Sequence, residues 1–152
     1  MDHMNNFNII GIAVETTNKD NKAAADLGKL WHEFYAQEIF NKIPNKVSED
    51  VIAVYTDYES DYTGKYTAII GQRVSSLADI PEGLLGRKIE NEHYKKYTAK
   101  GEMPAAGVTT WQDIWANDGM LNRSYKADFE VYGEKSQLGP DSEVEIYIGV
   151  KP

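Results

Sequence analysis

The feature of this chain that most constrains its fold is an internal repeat, which is visible as three pairs of similar segments in the same order. Each later segment follows its counterpart at a nearly constant distance along the chain, and the pairs are residues 31–35 with 111–115, 54–55 with 131–132, and 70–71 with 148–149. One such match would be chance, but three ordered matches within corresponding predicted elements favour a duplicated unit. We therefore expect two similar halves related by a pseudo-twofold axis, with a groove for a small molecule where they meet.

Each half of the repeat has the same predicted order of strand, helix, strand and strand. Short apolar runs bounded by turn residues predict the strands, and apolar residues at helical spacing predict one helix per half. The predicted strands are 7–14, 51–58, 65–73, 92–100, 128–134 and 143–150, and the predicted helices are about 23–40 and 106–117. The pattern indicates an α+β fold in a single domain over residues 1–152, with βαββ units at about 7–74 and about 92–151 and a linker at about 75–91.

The composition excludes several classes of protein. A net charge of −8 argues against direct nucleic-acid binding, which requires a basic patch. The absence of cysteine removes disulfides and thiolate metal sites and suits the cytoplasm. No apolar run approaches the roughly 20 residues of a membrane span. Because His3, His32 and His93 lack metal-ligand spacing and no catalytic or nucleotide motif occurs, we expect no metal, no cofactor and no catalytic residue.

Residues 128–132 carry the candidate binding group. Successive side chains of a strand point to opposite faces, so Glu130 and Tyr132 share one face, and Phe129 and Val131 share the other. If the face of Glu130 is open to water, this glutamate is an ordinary surface residue. If it lines a pocket, Glu130 is a buried anion that a cationic ligand would stabilise.

Aromatic residues are predicted to share the face of Glu130. Alternation assigns to a core face the aliphatic residues Ile52, Val54, Ala68, Ile70, Val144, Ile146, Ile148 and Val150. It leaves Tyr55, Tyr132 and Tyr147 on the opposite face, which is more aromatic than a solvated face usually is. The predicted helices add four rings, those of Trp31, Tyr35, Trp111 and Trp115. An indole face attracts a cation, although packing of the same rings in the core is the alternative interpretation.

These segments together resemble the GyrI-like family, also called AraC-type effector-binding domains. The resemblance covers nearly the whole chain and runs through residues 80–83, 94–101, the helix around Trp111, 129–132 and 144–150. It implies a duplicated βαββ fold whose central groove holds small molecules, often lipophilic cations, and it implies that Glu130 lies in that groove. The chain has no room for the helix-turn-helix domain often fused to this family, so it resembles the stand-alone members of integron gene cassettes. Gly149 departs from the proline that the family often has there.

We therefore predict a non-enzymatic cytoplasmic protein that binds lipophilic, aromatic cations. Glu130 is the predicted anion of the site. The predicted walls are Trp111, Trp115, Tyr132, Tyr147 and Tyr55, joined by Trp31 and Tyr35 from the other half. Two alternatives stay open, namely a small hydrolase that uses Glu130 as general acid or base, and a protein-interaction module such as a gyrase inhibitor. A protein partner or a homodimer is compatible with these interpretations.

Overall fold

The computed structural model describes residues 6–60, 63–90, 93–103 and 105–151, apart from the side chain of residue 21. The strands are β1 (Asn6–Thr17), β2 (Val51–Thr56), β3 (Lys65–Val74), β4 (Leu85–Glu90), β5 (Tyr94–Lys100), β6 (Arg123–Tyr132) and β7 (Glu143–Val150). The α-helices are α1 (Lys22–Ala36), α2 (Ala105–Ala116) and α3 (Asp118–Leu121). Short 3₁₀ turns occupy Lys19–Asn21, Ile39–Asn41, Glu134–Gln137 and Gly139–Asp141.

The order of the strands in the sheet reflects the duplication. The seven strands form one antiparallel sheet in the order β4-β1-β3-β2-β6-β7-β5. Strands β2 and β6 pair at the centre, β3 and β7 flank them, and β1 and β5 lie outside these. Two copies of a strand-helix-strand-strand unit, joined through their second strands, produce the symmetric order of these six strands, and β4 is added at one edge. The predicted α+β fold of two βαββ units is therefore confirmed.

Residues 85–90 correct the predicted linker, because they form strand β4. This strand pairs with β1 at the edge of the sheet, from Asn6 opposite Glu90 to Gly11 opposite Leu85. Ile89 is the only buried side chain of β4. An edge strand with so little burial lacks the alternating apolar pattern that identifies strands in a sequence, and nearby turn residues obscured it further.

Three predicted boundaries also differ from the observed ones. Helix α1 ends at Ala36 rather than near residue 40, because Glu38 adopts a left-handed conformation with φ 50° and a 3₁₀ turn follows. Gly119, expected to end the second helix, lies within α3. Strand β6 begins at Arg123 rather than at 128. Its first half is irregular, with a register shift before Asp128, and such an irregularity hides a strand's alternation.

Both faces of the sheet are buried, which corrects the predicted division into a core face and a groove face. Directly paired residues share a face. Tyr55 pairs with Ala68, and Ala53 pairs with Ile70, so these aliphatic residues lie on the face of Tyr55 and not with Ile52. The helices pack on the face of Ala53 and Tyr55. The other face carries a second buried cluster that includes Ile52, Val54, Ile69, Phe129 and Tyr147.

The register of β7 reverses the predicted orientation of that strand. Ile146 lies opposite Glu130, and Tyr147 lies opposite Phe129. Tyr147 therefore points away from Glu130 and stacks on Phe129, with ring centroids 4.7 Å apart and planes 15° apart. The prediction that Tyr147 shares the face of Glu130 is wrong. An aliphatic alternation identifies a buried face but cannot say which side of a sheet it covers when both sides are buried.

Two glycines allow β1 and β3 to approach closely. Gly11 and Gly71 lie directly opposite each other in the two strands. A Cβ atom added to Gly71 would lie 2.2 Å from the carbonyl oxygen of Ile10, and one added to Gly11 would lie 2.1 Å from that of Ile70. Backbone atoms cannot move away as a flexible side chain can. The pairing at this point therefore requires glycine in both strands.

We expect Gly71→Ala to lower the free energy of unfolding by about 1–3 kcal/mol or more, because the added methyl group forces the strands apart. Gly28→Ala is the matched control, since a Cβ there meets nothing within 4 Å and the residue lies in α1. Gly28→Ala should raise the free energy of unfolding by about 0.5–1 kcal/mol, because alanine has a higher helix propensity than glycine. Urea unfolding followed by tryptophan fluorescence measures both changes. Equal stability of Gly71→Ala and the parent chain would contradict the close approach.

Candidate ligand-binding site

A cavity of about 1060 Å³ lies between α1, α2 and the centre of the sheet. Its volume is at the upper end of the range typical of sites for drug-sized ligands. The structure brings seven of the eight residues predicted for ligand binding to its lining, and these are Trp31, Tyr35, Tyr55, Trp111, Trp115, Glu130 and Tyr132. Tyr147, on the other face of the sheet, is absent from the lining.

Glu130 contributes a buried carboxyl group to this cavity, with a residue exposure of 4%. Its Oε1 accepts hydrogen bonds from the hydroxyl groups of Tyr55 at 2.7 Å and Tyr132 at 2.9 Å. Its Oε2 accepts one from the indole nitrogen of Trp111 at 2.6 Å. Burial raises the pKa of Glu130 above its ordinary value, although the three hydrogen bonds act to lower it. Three neutral donors thus compensate only part of the cost of burying the charge.

The rings around Glu130 follow the twofold arrangement of the repeat. Tyr55 and Tyr132 are counterparts in the two halves, and so are Trp31 and Trp111. Trp111 packs edge-on against Tyr55, with centroids 5.7 Å apart and planes at 89°. Trp31 packs in the same manner against Tyr132, at 4.8 Å and 73°. We call these four residues the aromatic cage.

The charge at the centre of the cage occurs in only one half. The spacing that relates Tyr55 to Tyr132 also relates Ala53 to Glu130. These two residues lie directly opposite each other in β2 and β6, where the pseudo-twofold axis passes. Cβ atoms of such partners are about 5 Å apart, so a second carboxylate there would repel the first. The methyl group of Ala53 in the first half therefore leaves room for the carboxyl group of Glu130 in the second half and avoids this repulsion.

Further rings extend the walls toward solvent. Tyr35 is 48% exposed and stacks on Trp31 with centroids 6.2 Å apart and planes at 14°. Trp115 tilts against Trp111 at 6.2 Å. Tyr66 packs edge-on against Tyr55 at 5.9 Å and also lines the cavity. Sequence reasoning missed Tyr66, although its even spacing from Ala68 and Ile70 identifies its face once the pairing of β3 with β2 is known.

A second buried carboxylate, Asp128, lies on the same face of β6 and has a different environment. It accepts hydrogen bonds from Arg123 at 2.7 Å, from the hydroxyl group of Tyr58, and from the backbone N–H of Gly149 at 2.8 Å. Arg123 also pairs with Asp118 at 3.0 Å. Burial raises the pKa of Asp128 although the Arg123 guanidinium opposes this effect. Proline at 149 would lack the N–H that Asp128 uses.

Acidic residues dominate the charged lining of the cavity. Within the described ranges the charged residues of the lining are Glu49, Asp50, Arg123, Glu130 and Glu134. Arg123 is paired with two carboxylates, and Glu49 and Asp50 each face a basic side chain outside the lining. Among the described residues, Glu130 and Glu134 are therefore the lining carboxylates without an ion pair. In the part of the chain that the structure describes, no group of His, Cys, Asp or Glu side chains could hold a metal ion. No described helix is long and apolar enough to cross a membrane.

Comparison with known structures agrees with this architecture. The integron cassette protein VCH_CASS2 of Vibrio cholerae is 32% identical, with a TM-score of 0.74 over 97% of this chain and 92% of its own. SAV2435, whose structure was solved bound to tetraphenylphosphonium, is 18% identical, with a TM-score of 0.79 over 96% of this chain and 89% of its own. The similarity to SAV2435 is one of fold.

Sequence comparison gives the family. YobU of Bacillus subtilis, named as a transcriptional regulator, is 25% identical over 125 residues, which are 80% of this chain and 78% of YobU. The transcriptional regulator BrlR of Pseudomonas aeruginosa is 27% identical over 131 residues, 82% of this chain but 46% of BrlR. Residues 2–150 match the family model described as Cass2, integron-associated effector binding protein. The chain therefore belongs to the family of integron-associated effector-binding proteins.

Proposed function

We propose that the cavity binds lipophilic, aromatic small-molecule cations and that Glu130 is the anion that selects for their charge. One observation carries this proposal: Glu130 is 4% exposed and, among the described residues, forms no ion pair with a basic side chain. An ionised carboxylate is costly to bury without a compensating charge. The raised pKa of Glu130 reflects the part of that cost that the three ring donors leave uncompensated. An incoming cation would supply the missing charge.

The hydrogen bonds on Glu130 favour cations whose charge is spread over apolar groups. Oε1 already accepts two hydrogen bonds and Oε2 accepts one, from donors that belong to the aromatic cage. Burial raises the pKa values of Tyr55 and Tyr132 well above their ordinary values, so both hydroxyl groups keep their protons and continue to donate. A ligand therefore gains little from further hydrogen bonds to Glu130 and gains mainly from charge and ring contact.

The comparisons support the same class of ligand. The chain belongs to an effector-binding family, and SAV2435, which shares the fold, was solved with tetraphenylphosphonium, a cation surrounded by four phenyl rings. Four aromatic rings of the lining offer apolar surfaces to such a ligand, and they belong to Trp31, Tyr35, Trp111 and Trp115. The acidic lining would also attract a cation toward the cavity before it reaches Glu130.

The hydrolase alternative keeps one observation in its favour, which is the raised pKa of Glu130. A carboxyl group with a raised pKa is suited to general acid or base catalysis. Turnover of an activated ester that is lost in Glu130→Gln would establish this activity. The gyrase-inhibitor type of interaction, a homodimer and the absence of direct nucleic-acid binding stay predictions from the sequence.

Glu130→Gln should weaken the binding of tetraphenylphosphonium by about 1–3 kcal/mol, because it removes the charge but keeps the size of the side chain. Quenching of tryptophan fluorescence measures the dissociation constant, since Trp31, Trp111 and Trp115 line the cavity. Tyr147→Phe is the control, because Tyr147 lies on the other face of the sheet and should leave the affinity unchanged. An equal affinity of Glu130→Gln and the parent chain would refute the role of the anion.

The affinity for tetraphenylphosphonium should also fall as the pH is lowered. Burial raises the pKa of Glu130 above its ordinary value of 4.5, so the carboxyl group takes up its proton at a higher pH than an exposed one. The anion is therefore lost from the cavity before the pH reaches 4.5, whereas the phosphonium charge is permanent. Dissociation constants measured from neutral pH down to 4.5 test this, with Glu130→Gln as the pH-independent reference. A flat profile for the parent chain would contradict the prediction.

Lowering the pH should weaken ligand binding but stabilise the folded chain. Folding stability therefore gives a second measurement that depends on the raised pKa of Glu130. Without ligand, the folded chain binds the proton of Glu130 more tightly than the unfolded chain does. Lowering the pH from above the raised pKa toward 4.5 therefore increases the contribution of Glu130 to the free energy of unfolding. The difference in stability between the parent chain and Glu130→Gln, measured by urea unfolding across that range, isolates this contribution.

A further inference from the structure

Gln72, in β3, is a buried amide in the wall of the cavity, with a residue exposure of 1%. Its Nε2 donates a hydrogen bond to the backbone carbonyl of Glu49 at 3.1 Å. Its Oε1 is buried and accepts no hydrogen bond from any described residue. Because a carbonyl oxygen cannot donate, turning the amide over would place two acceptors against each other. The orientation of the amide is therefore fixed, and it leaves an unpaired acceptor in this part of the cavity.

The side chains that flank Gln72 on the cavity face are aliphatic. Gln72 lies opposite Ile10 in β1, and the register of β2 and β3 places it beside Val51. Ile70 and Val74 lie two residues before and two residues after it in β3, and all four belong to the buried cluster under the helices. None of these four side chains carries a hydrogen-bond donor. A buried acceptor in such surroundings is costly, because it loses the hydrogen bond that water gave it in the unfolded chain.

The charged residues next to Gln72 in the sheet lie on the opposite face. Arg73 follows Gln72 and therefore points to the other side of β3. It pairs at 3.9 Å with Asp50, whose Oδ1 lies 3.1 Å from the position of a Cβ atom on Gly133. Because these charges are not on the cavity face, they would not compensate a charged group of a ligand at Oε1. We therefore expect the missing donor to be an uncharged O–H or N–H group.

A ligand group suits this acceptor better than a water molecule does. A buried water is normally held by about three polar partners, whereas the side chains around Gln72 on this face are aliphatic. A water at Oε1 would be poorly held, so a ligand that replaces it with a donor of its own gains affinity. The same aliphatic side chains offer contact to an apolar chain that carries this donor.

The pairing of the strands gives the distance between this acceptor and Glu130. Glu130 lies opposite Ala53 in β2, and Gln72 lies beside Val51, on the strand beyond β2 and two residues along. With strands about 4.8 Å apart and a rise of about 3.3 Å per residue, the two Cα atoms are about 12 Å apart. Both residues line the cavity, so one elongated ligand can contact both.

We propose that Gln72 Oε1 is a hydrogen-bond subsite that selects, among lipophilic cations, those that carry an uncharged O–H or N–H donor. This inference rests on the proposed function and narrows its ligand class. The preferred ligand has its aromatic cation in the aromatic cage and a flexible apolar tail that ends in a hydroxyl group at Gln72. The tail packs along the aliphatic side chains, and the hydroxyl group donates to an acceptor that otherwise stays unpaired.

The test compares three triphenylphosphonium cations whose tails have the same number of non-hydrogen atoms, namely the 6-hydroxyhexyl, 5-methoxypentyl and heptyl compounds. The hydroxyl tail can donate, the ether tail can only accept, and the heptyl tail can do neither. By isothermal titration calorimetry we expect the parent chain to bind the hydroxyl compound about five- to tenfold more tightly than the ether, as one hydrogen bond to a buried acceptor allows.

Gln72→Met keeps the length of the side chain but removes the acceptor, so the preference for the hydroxyl compound over the ether should shrink to about twofold or less. The affinity for the heptyl compound should not fall, because methionine is apolar and that tail carries no donor. Gln112→Met is the matched control, since Gln112 also lines the cavity but is exposed. This control should keep the preference of the parent chain.

Gln72→Leu is a second variant in case Gln72→Met folds poorly. A nuclear magnetic resonance measurement on the parent chain adds a direct readout, because the side-chain amide signals of Gln72 should shift with the hydroxyl compound beyond the shift with the ether. Equal binding of these two compounds by the parent chain would overturn the subsite and leave the cation site standing. A preference that survives the loss of Gln72 would overturn it as well. Failure of the parent chain to bind the heptyl compound would refute the proposed function and this inference together.

Discussion

The site depends on one interaction, the hold of three neutral donors on the buried carboxylate of Glu130. Tyr55 comes from the first half of the chain, and Tyr132 and Trp111 come from the second, so the carboxylate joins β2, β6 and α2 at the centre of the molecule. Neutral donors can hold an anion in place without cancelling its charge. The carboxylate of Glu130 therefore keeps its negative charge, which an arginine in place of one of these donors would have neutralised.

Asp128, two residues away on the same strand, is a buried carboxylate that is paired with an arginine. It is as deeply buried as Glu130, but Arg123 pairs with it at 2.7 Å and Asp118 pairs with the same guanidinium. Asp128 thus serves the structure, and it anchors β7 through the N–H of Gly149. Burial alone does not distinguish the two carboxylates. The identity of their partners does, since Asp128 is paired with the Arg123 guanidinium, whereas Glu130 has only neutral hydrogen-bond donors among the described residues.

The repeat in the sequence was sufficient to predict the α+β fold, because the fold follows from strand order. The position of Glu130 in the groove was an implication of the family resemblance, since alternation alone left its face open either to water or to a pocket. The side of the sheet that Tyr147 occupies was not predictable, since both faces are buried and alternation looks the same from either side. Strand β4 was missed because an edge strand has little buried surface. Tyr66 was missed for another reason. Its position in the cavity wall depends on the pairing of β3 with β2, which no local pattern reveals.

The opposition of Ala53 and Glu130 explains what is gained by joining the two halves in one chain. An assembly of two identical half-length chains would have to carry the same residue on both sides of its symmetry axis. It would then hold two acids at the axis or none, and never an odd number of charges. Fusion lets the copies diverge at that one place while the surrounding rings stay matched. Such a cavity is nearly symmetric in shape but not in charge, because one carboxyl group lies off-centre on only one side of the axis.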